Sequence, residues 1–333
     1  MKKAKQEDPI SVIESEDGID RAGFIKCMAW AGTGVLWMLS GGGLKSYGMS
    51  QLLDKDTGRL KPGISLPKAD FSFVQISDSH IGFNKAANPD VMGTLQAAID
   101  KINGLPTAPS FVLHTGDLSH LSQKDEFDAL DQSLKNIKTD RIFYVPGEHD
   151  VLNDGGKSYL ERYGKGTKGQ GWYSFDKEGV HFIGLNNVFD TSEGGLGSLG
   201  ADQLAWLADD LKGLSNSTPI VVFAHIPLWA VYPQWGWGTR DSEQALSLLR
   251  RFGSVSVLNG HIHQTMLKVE GNITFHTATS TAFPQPKPGT APAPGPMKVP
   301  AEQLRGLLGL TSVVYQEHAS SLAITDTALI TAP

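Results

Sequence analysis

One cysteine, Cys27, is all the chain contains in 333 residues. A lone thiol excludes an intramolecular disulfide and a cysteine-based metal site, so any metal must be held by histidine and carboxylate. A basic excess is lacking too. The formal net charge is −6, which gives no reason to expect a nucleic-acid partner. The longest apolar stretch falls short of the ~20 residues a membrane span needs, and no internal repeat is visible. What is present is a 40% share of hydrophobic residues, enough at this length to core one large domain with appendages.

Residues 1–18 are polar, charged and without apolar period, the pattern of a disordered segment. Residues 20–26 carry Arg21 and Lys26 and precede an apolar stretch at 27–39. A basic region before a short apolar run is the layout of an export signal, which places the protein in the periplasm or outside the cell. An N-terminal buried or amphipathic helix on a cytoplasmic protein is the ordinary alternative, and the segment also admits a membrane association. It resembles a twin-arginine signal: Arg21, Phe24, Ile25 and Lys26 fit, while Ala22 stands where the second arginine belongs. Residues 40–66 read as a linker.

From Phe71 the chain alternates strand and helix. Strands are expected at 71–77, 111–116, 141–147, 181–187, 220–225 and 254–260, and helices at 89–103, 124–137, 201–214 and 241–252. This alternation predicts an α/β fold with a largely parallel sheet. Residues 265–277 read as a hairpin turning at Glu270-Gly271-Asn272. Residues 284–300 hold seven prolines and read as a semi-rigid extended segment. The chain divides accordingly into an N-terminal region (1–66), a main domain (67–283) and a C-terminal extension (284–333).

Five acid and histidine clusters follow successive strands: Asp78-Ser79-His80, Gly116-Asp117, Gly147-Glu148-His149-Asp150, His225, and His261-Ile262-His263. Each has an ordinary reading alone, as a strand end, a turn aspartate or a hydrogen-bonded core histidine. Together, at the ends of neighbouring strands, they converge on one sheet edge. Asp78 and His80 are expected on one side of an extended segment by the period-two rule. Two divalent ions ~3.5–4 Å apart would need such an inventory to acidify water and neutralise a phosphoryl group. The ligand types suit Mn, Fe or Zn without choosing among them.

The ordered set D-x-H, G-D, G-x-H-D, H and G-H-x-H resembles the calcineurin-like metallophosphoesterase superfamily. Gly200-Ala201-Asp202-Gln203-Leu204-Ala205-Trp206-Leu207 is similar to a helix frequent in its cyclic-nucleotide-phosphodiesterase-like branch. The resemblance implies a β-sandwich flanked by helices (α/β/β/α) with the site at the C-terminal ends of strands. It also implies that Asp78, His80 and His263 hold a first metal, that Asp117 bridges, and that His225, His261 and Glu148 hold a second. His149 would stand by the leaving group as general acid or charge stabiliser, with Asp150 orienting its imidazole. The chain departs from the family at Glu148, where asparagine is usual. A carboxylate there would grip the ion more tightly and repel phosphate. His120 stands where purple acid phosphatases carry a metal-binding tyrosine, but those enzymes lack the histidine retained here as His80, so His120 is expected beside the metals or facing substrate. Trp229, in an aromatic-rich loop after His225, and Arg240 are further candidates for substrate contact, a packed loop and a surface ion pair being their ordinary readings.

The expected function is hydrolysis of a phosphate ester by a metal-bridging hydroxide, with a phosphodiester favoured over a phosphomonoester or pyrophosphate. A non-catalytic metal-binding sensor or partner protein is the reading from another class, because Glu148 alters the site.

Overall fold

The computed structural model describes residues 71–139, 141–191, 195–315 and 322–330, together with two strands at 35–40 and 43–48. The export-like segment before residue 35, Cys27 and the remainder of the linker lie outside the described residues. The end of the apolar run, Val35–Ser40, forms β1, which pairs with β2 (Gly43–Gly48) and with a C-terminal strand. No helix among the described residues is long and apolar enough to cross a membrane.

Two mixed sheets stack face to face. The first contains β1, β2, β3 (Phe71–Ile76), β4 (Phe111–His114), β5 (Ile142–Tyr144), β12 (Gly309–Tyr315) and β13 (Ala323–Ala328), in the order β2-β1-β13-β12-β3-β4-β5. The second contains β6 (Tyr173–Lys177), β7 (Val180–Gly184), β8 (Ile220–Phe223), β9 (Val255–Asn259), β10 (Met266–Glu270) and β11 (Ile273–Thr277), in the order β10-β11-β9-β8-β7-β6. The parallel runs β3-β4-β5 and β7-β8-β9 are the strands that alternate with helices, which is the part the alternation predicted, and β11, the second arm of the expected hairpin, joins β9 in parallel. The strands are divided between two sheets, as the β-sandwich implied by the motif resemblance requires. Part of the expected C-terminal extension is built into the first, since β12 pairs with β3.

Side-chain alternation explains the layering. In β3, Phe71 and Phe73 point between the sheets, while Val74 and Ile76 point to α1 (Val91–Asn103) and α2 (Lys124–Leu134). In β8, Val221 and Phe223 face inward and Val222 faces α4 (Ala201–Leu211) and α5 (Ser242–Leu249). The inter-sheet layer is aromatic: Phe73 stacks on Phe111 at 4.9 Å and meets Phe182 edge-on at 5.5 Å. Each such fully buried ring contributes about 1.5–3 kcal/mol. The α/β/β/α sandwich is therefore the observed architecture.

Elements that carried no sequence signal strong enough to be read include β1, β2, β6, and α3 (Lys157–Tyr163), which is only two turns long. Gln203, near the start of α4, has a fold role. Its amide bonds the Asn186 N–H and carbonyl and the Leu199 carbonyl, clamping the loop after β7.

His181 in β7 ties α4 to the sheet through Nε2 to Asp210 at 2.9 Å, and reaches Asp176 through Nδ1 at 2.8 Å. Burial disfavours the imidazolium, but the Asp210 and Asp176 carboxylates outweigh it and hold the pKa above its usual value. A raised folded-state pKa gives stability that is complete below the unfolded value of about 6.5 and is lost as pH rises through the folded value. His181→Gln should thus lower stability by about 1–2 kcal/mol in mildly acid solution and by less in alkali. Denaturant melts of both proteins across this range check it, and a pH-independent difference would refute the linkage.

Candidate metal centre

The five clusters meet at one edge, because β3, β4 and β5 end there on one sheet and β8 and β9 on the other. The backbone does not stay extended into the site, however. β3 ends at Ile76, and Asp78 and His80 adopt left-handed φ values of 55° and 41°. Asp117, His261 and His263 do likewise, at 50°, 70° and 54°. The expectation of an extended D-x-H segment is corrected accordingly: both side chains reach one centre because the chain curls, not because strand faces alternate. Such conformations cost about 1–3 kcal/mol each and persist where surrounding structure imposes them. Here the loops bind one another, Asp78 N–H to the Gly116 carbonyl at 3.0 Å and His80 N–H to that of Asp117 at 2.9 Å.

Asp117 is buried and its two oxygens face different ways. Oδ1 accepts the His149 backbone N–H at 2.9 Å. Oδ2 lies 3.4 Å from both His80 Nε2 and His225 Nε2. On one side, Asp78 Oδ1 is 3.3 Å from His263 Nε2, which is 3.2 Å from His80 Nε2. On the other, Glu148 Oε2 is 2.9 Å from His225 Nε2 and Oε1 is 2.9 Å from His261 Nδ1. The ligand atoms of Asp78, His80 and His263 all lie within 4.8 Å of one another, as do those of Glu148, His225 and His261, and those of Asp78, Asp117 and His225.

The donor set fits metal ions. Glu148 Oε2, His225 Nε2 and both ring nitrogens of His261 are buried without a hydrogen-bond partner, despite the short Glu148–histidine distances. The separations from Glu148 are those of hydrogen bonds but the directions are not, so these atoms stay unsatisfied while lying close together. Orphaned buried polar atoms are costly in a native protein, and an ion bound by Glu148, His225 and His261 would satisfy one atom of each.

Three imidazoles are aimed by backbone carbonyls. His225 Nδ1 donates to Thr115 at 2.7 Å, His263 Nδ1 to Phe283 at 2.5 Å, and His149 Nδ1 to His120 at 2.6 Å. This fixes the tautomer and leaves Nε2 of each free. Burial would raise Glu148, yet His261 and His225 hold its carboxyl well below the usual range. Burial would lower His225, yet Asp117 and Glu148 hold it well above its usual value.

Asp150 does not orient His149. Its carboxylate accepts the backbone N–H groups of Leu118, Ser119 and Gly147 at 3.1, 2.8 and 2.9 Å, and the Ser119 hydroxyl at 2.9 Å. Burial, with Asp117 nearby, pushes it up to about 7 against those bonds. Its work is to pin the second and third loops together. Trp229 packs on Phe275 at 5.1 Å, in the helix-side core of the second sheet, and Arg240 is engaged by the Asp190 carboxylate at 2.5 Å. Neither joins the cluster. The Pro-rich segment does reach the site's edge: Gln285 Nε2 bonds the His261 carbonyl at 3.0 Å, and Gln264 Nε2 the Pro286 carbonyl at 2.9 Å. A cavity of about 730 Å³ lies between this segment and β13, with His263 in its wall.

Sequence reasoning missed His114 and the loop at 278–283. His114 Nε2 is 2.8 Å from Ser79 Oγ, and the Ser280 hydroxyl donates to the Asp78 carbonyl at 2.8 Å. His114, at the end of β4 and just before Gly116-Asp117, was the available signal for the first.

The calcineurin-like phosphoesterase family profile matches residues 71–265, more than half of the chain. The chain belongs to the calcineurin-like phosphoesterase family. It is a hydrolase of phosphoester bonds, and the family resemblance drawn from its motifs is borne out. A 3',5'-cyclic-nucleotide phosphodiesterase of Nostoc sp. is 26% identical over 229 residues, covering 65% of this chain and 80% of that one. A probable glycerophosphodiester phosphodiesterase of Arcobacter nitrofigilis is 25% identical over 217 residues, covering 62% and 77%. In fold, the chain is similar to a dimetal phosphatase from Danio rerio, with a TM-score of 0.61 at 16% identity over 79% of this chain and 98% of that one.

The close contact of the loops makes Gly147 a sensitive position. A Cβ there would overlap Asp117 Oδ1 and its backbone nitrogen. Gly147→Ala should displace Asp117 and lower kcat by at least about tenfold, on the scale of lost support for a metal ligand. Kinetics with metal analysis check it, and full activity would show that the loops can part without consequence.

Proposed function

We propose that this phosphoesterase is a two-metal phosphodiesterase, with a small diester of nucleotide or glycerol type as substrate. The observation that carries the reading is the single Asp117 oxygen 3.4 Å from a histidine of each half of the cluster. Asp78, His80 and His263 would hold one ion, Glu148, His225 and His261 the other, and Asp117 both. The pair of ions, when bound, supplies an acidified water and neutralises charge on the phosphoryl oxygens. The two phosphodiesterase relatives support the diester preference.

The protein's own contribution is placement. His149 keeps its Nδ1 proton on the His120 carbonyl, so Nε2 is the atom able to exchange a proton with a departing oxygen. Burial lowers the His149 pKa, but Asp117 and Glu148 more than offset this and raise it. Among Mn, Fe and Zn, the ligand types allow each. Export is a separate proposal from the N-terminal layout, and fractionation of the native protein tests it.

One observation favours a second reading. Glu148 adds a carboxylate where phosphate must approach, which suits a metal-binding protein that does not turn over substrate. Turnover of bis-p-nitrophenyl phosphate against p-nitrophenyl phosphate, with Mn, Fe and Zn supplied separately, decides between them. Faster diester turnover is expected. Faster monoester turnover would make it a phosphomonoesterase, and two tightly bound ions without turnover of either would favour the sensor.

A further inference from the structure

We infer that His120 is a positioning residue, holding the first-site ligand His80 and the His149 imidazole in register. The inference rests on the reading of the cluster as a two-metal centre.

His80 presents Nε2 to the cluster, 3.4 Å from Asp117 Oδ2 and 3.2 Å from His263 Nε2. A neutral imidazole that offers one nitrogen as acceptor carries its hydrogen on the other. That other nitrogen, Nδ1, lies 3.4 Å from His120 Nδ1. His120 must then accept through Nδ1 and carry its own hydrogen on Nε2. A metal at His80 Nε2 would draw electron density from the ring and make its Nδ1–H a better donor, so the long contact would tighten on loading.

His225, His263 and His149 send their outer nitrogens to backbone carbonyls, which substitution cannot remove. His80 sends its outer nitrogen to a side chain. The same residue also supports His149. The His120 ring stacks on His149 at 4.8 Å and 16°, and the His120 carbonyl accepts His149 Nδ1–H at 2.6 Å. Phe83 meets the His120 ring edge-on at 5.1 Å, and Phe283 stacks on His80 at 4.7 Å. One half-buried ring thus touches a first-site ligand and the leaving-group imidazole at once, through separate atoms.

The separate atoms allow separate tests. His120→Phe keeps a flat ring on His149 and removes the nitrogen. His120→Asn puts an acceptor oxygen near the Nδ1 position and removes the ring. The full chain, stripped of metal, is titrated with Mn²⁺ and with Zn²⁺ for stoichiometry and affinity, and kcat and KM are read on bis-p-nitrophenyl phosphate. The expected result is two ions in the parent and an affinity at one site about tenfold or more weaker in the Phe variant. The Asn variant should recover most of that affinity yet lower kcat through His149, with KM little changed in either. Parent-like affinity in the Phe variant, or an Asn variant as weak as the Phe variant, overturns the positioning role. Three ions in the parent and two in the Phe variant would make His120 a ligand and overturn it as well. Fewer than two ions in the parent would instead sink the two-metal reading itself.

Discussion

Asp117→Asn is expected to lose on the order of a thousandfold in kcat/KM and to bind its ions more weakly, with the fold intact. The size follows from electrostatics: a unit charge ~4 Å from a cation contributes about 4 kcal/mol at an effective dielectric near 20, close to three powers of ten in rate. Asparagine keeps the shape of the side chain, and its amide can still offer an oxygen to the His149 N–H that Oδ1 now accepts. What it removes is the charge at the atom 3.4 Å from both His80 and His225. Metal stoichiometry, kinetics and melting temperature together check this. Near-normal activity with two bound ions would end the two-metal reading.

The parts of the site visible in the sequence are the ones that depend on side-chain type. Asp78, His80, Asp117, Glu148, His225, His261 and His263 each have an ordinary reading alone, but five such clusters after successive strands and their resemblance to a family's ordered motif set single them out. Other features were hidden because they depend on backbone. The left-handed turns at Asp78 and His261 place ligands that alternation along a strand would place differently, and nothing in their residue types demands φ > 0. Asp150 follows His149 in sequence, so an imidazole partner was the natural reading, yet its oxygens are taken by N–H groups of two loops. The carbonyls of Thr115, Phe283 and His120 that aim the imidazoles have no sequence signature at all. The fold shows the same division: helix and strand alternation was readable and the motif resemblance implied the two-sheet sandwich, whereas the return of β12 beside β3 is a long-range choice.

Glu148 is the position where residue type and backbone together give the sharpest expectation. The short 3-10 turn at Glu148–Asp150 carries it into the cluster, where one oxygen is 2.9 Å from His225 Nε2 and the other 2.9 Å from His261 Nδ1. Burial opposes its charge, but the two imidazoles keep the carboxyl well below the usual range, so it stays ionised. Held this way it would contribute a full negative charge to an ion bound between it, His225 and His261, and the same charge would face an arriving phosphate. Glu148→Asn should separate the two effects. An amide oxygen is a weaker ligand, so affinity at the second site should fall about tenfold or more, the scale of a disturbed metal shell. KM should hold or fall, since one repulsive charge is gone and an N–H donor is gained. Glu148→Ala offers no ligand atom and should lose the second ion together with most of the rate, because the chemistry needs both ions. Metal stoichiometry with kcat and KM for the parent and both variants reads all of this. An Ala variant with two ions and unchanged kinetics would remove Glu148 from the ligand set, and an Asn variant with a raised KM would show that the carboxylate does not repel the substrate.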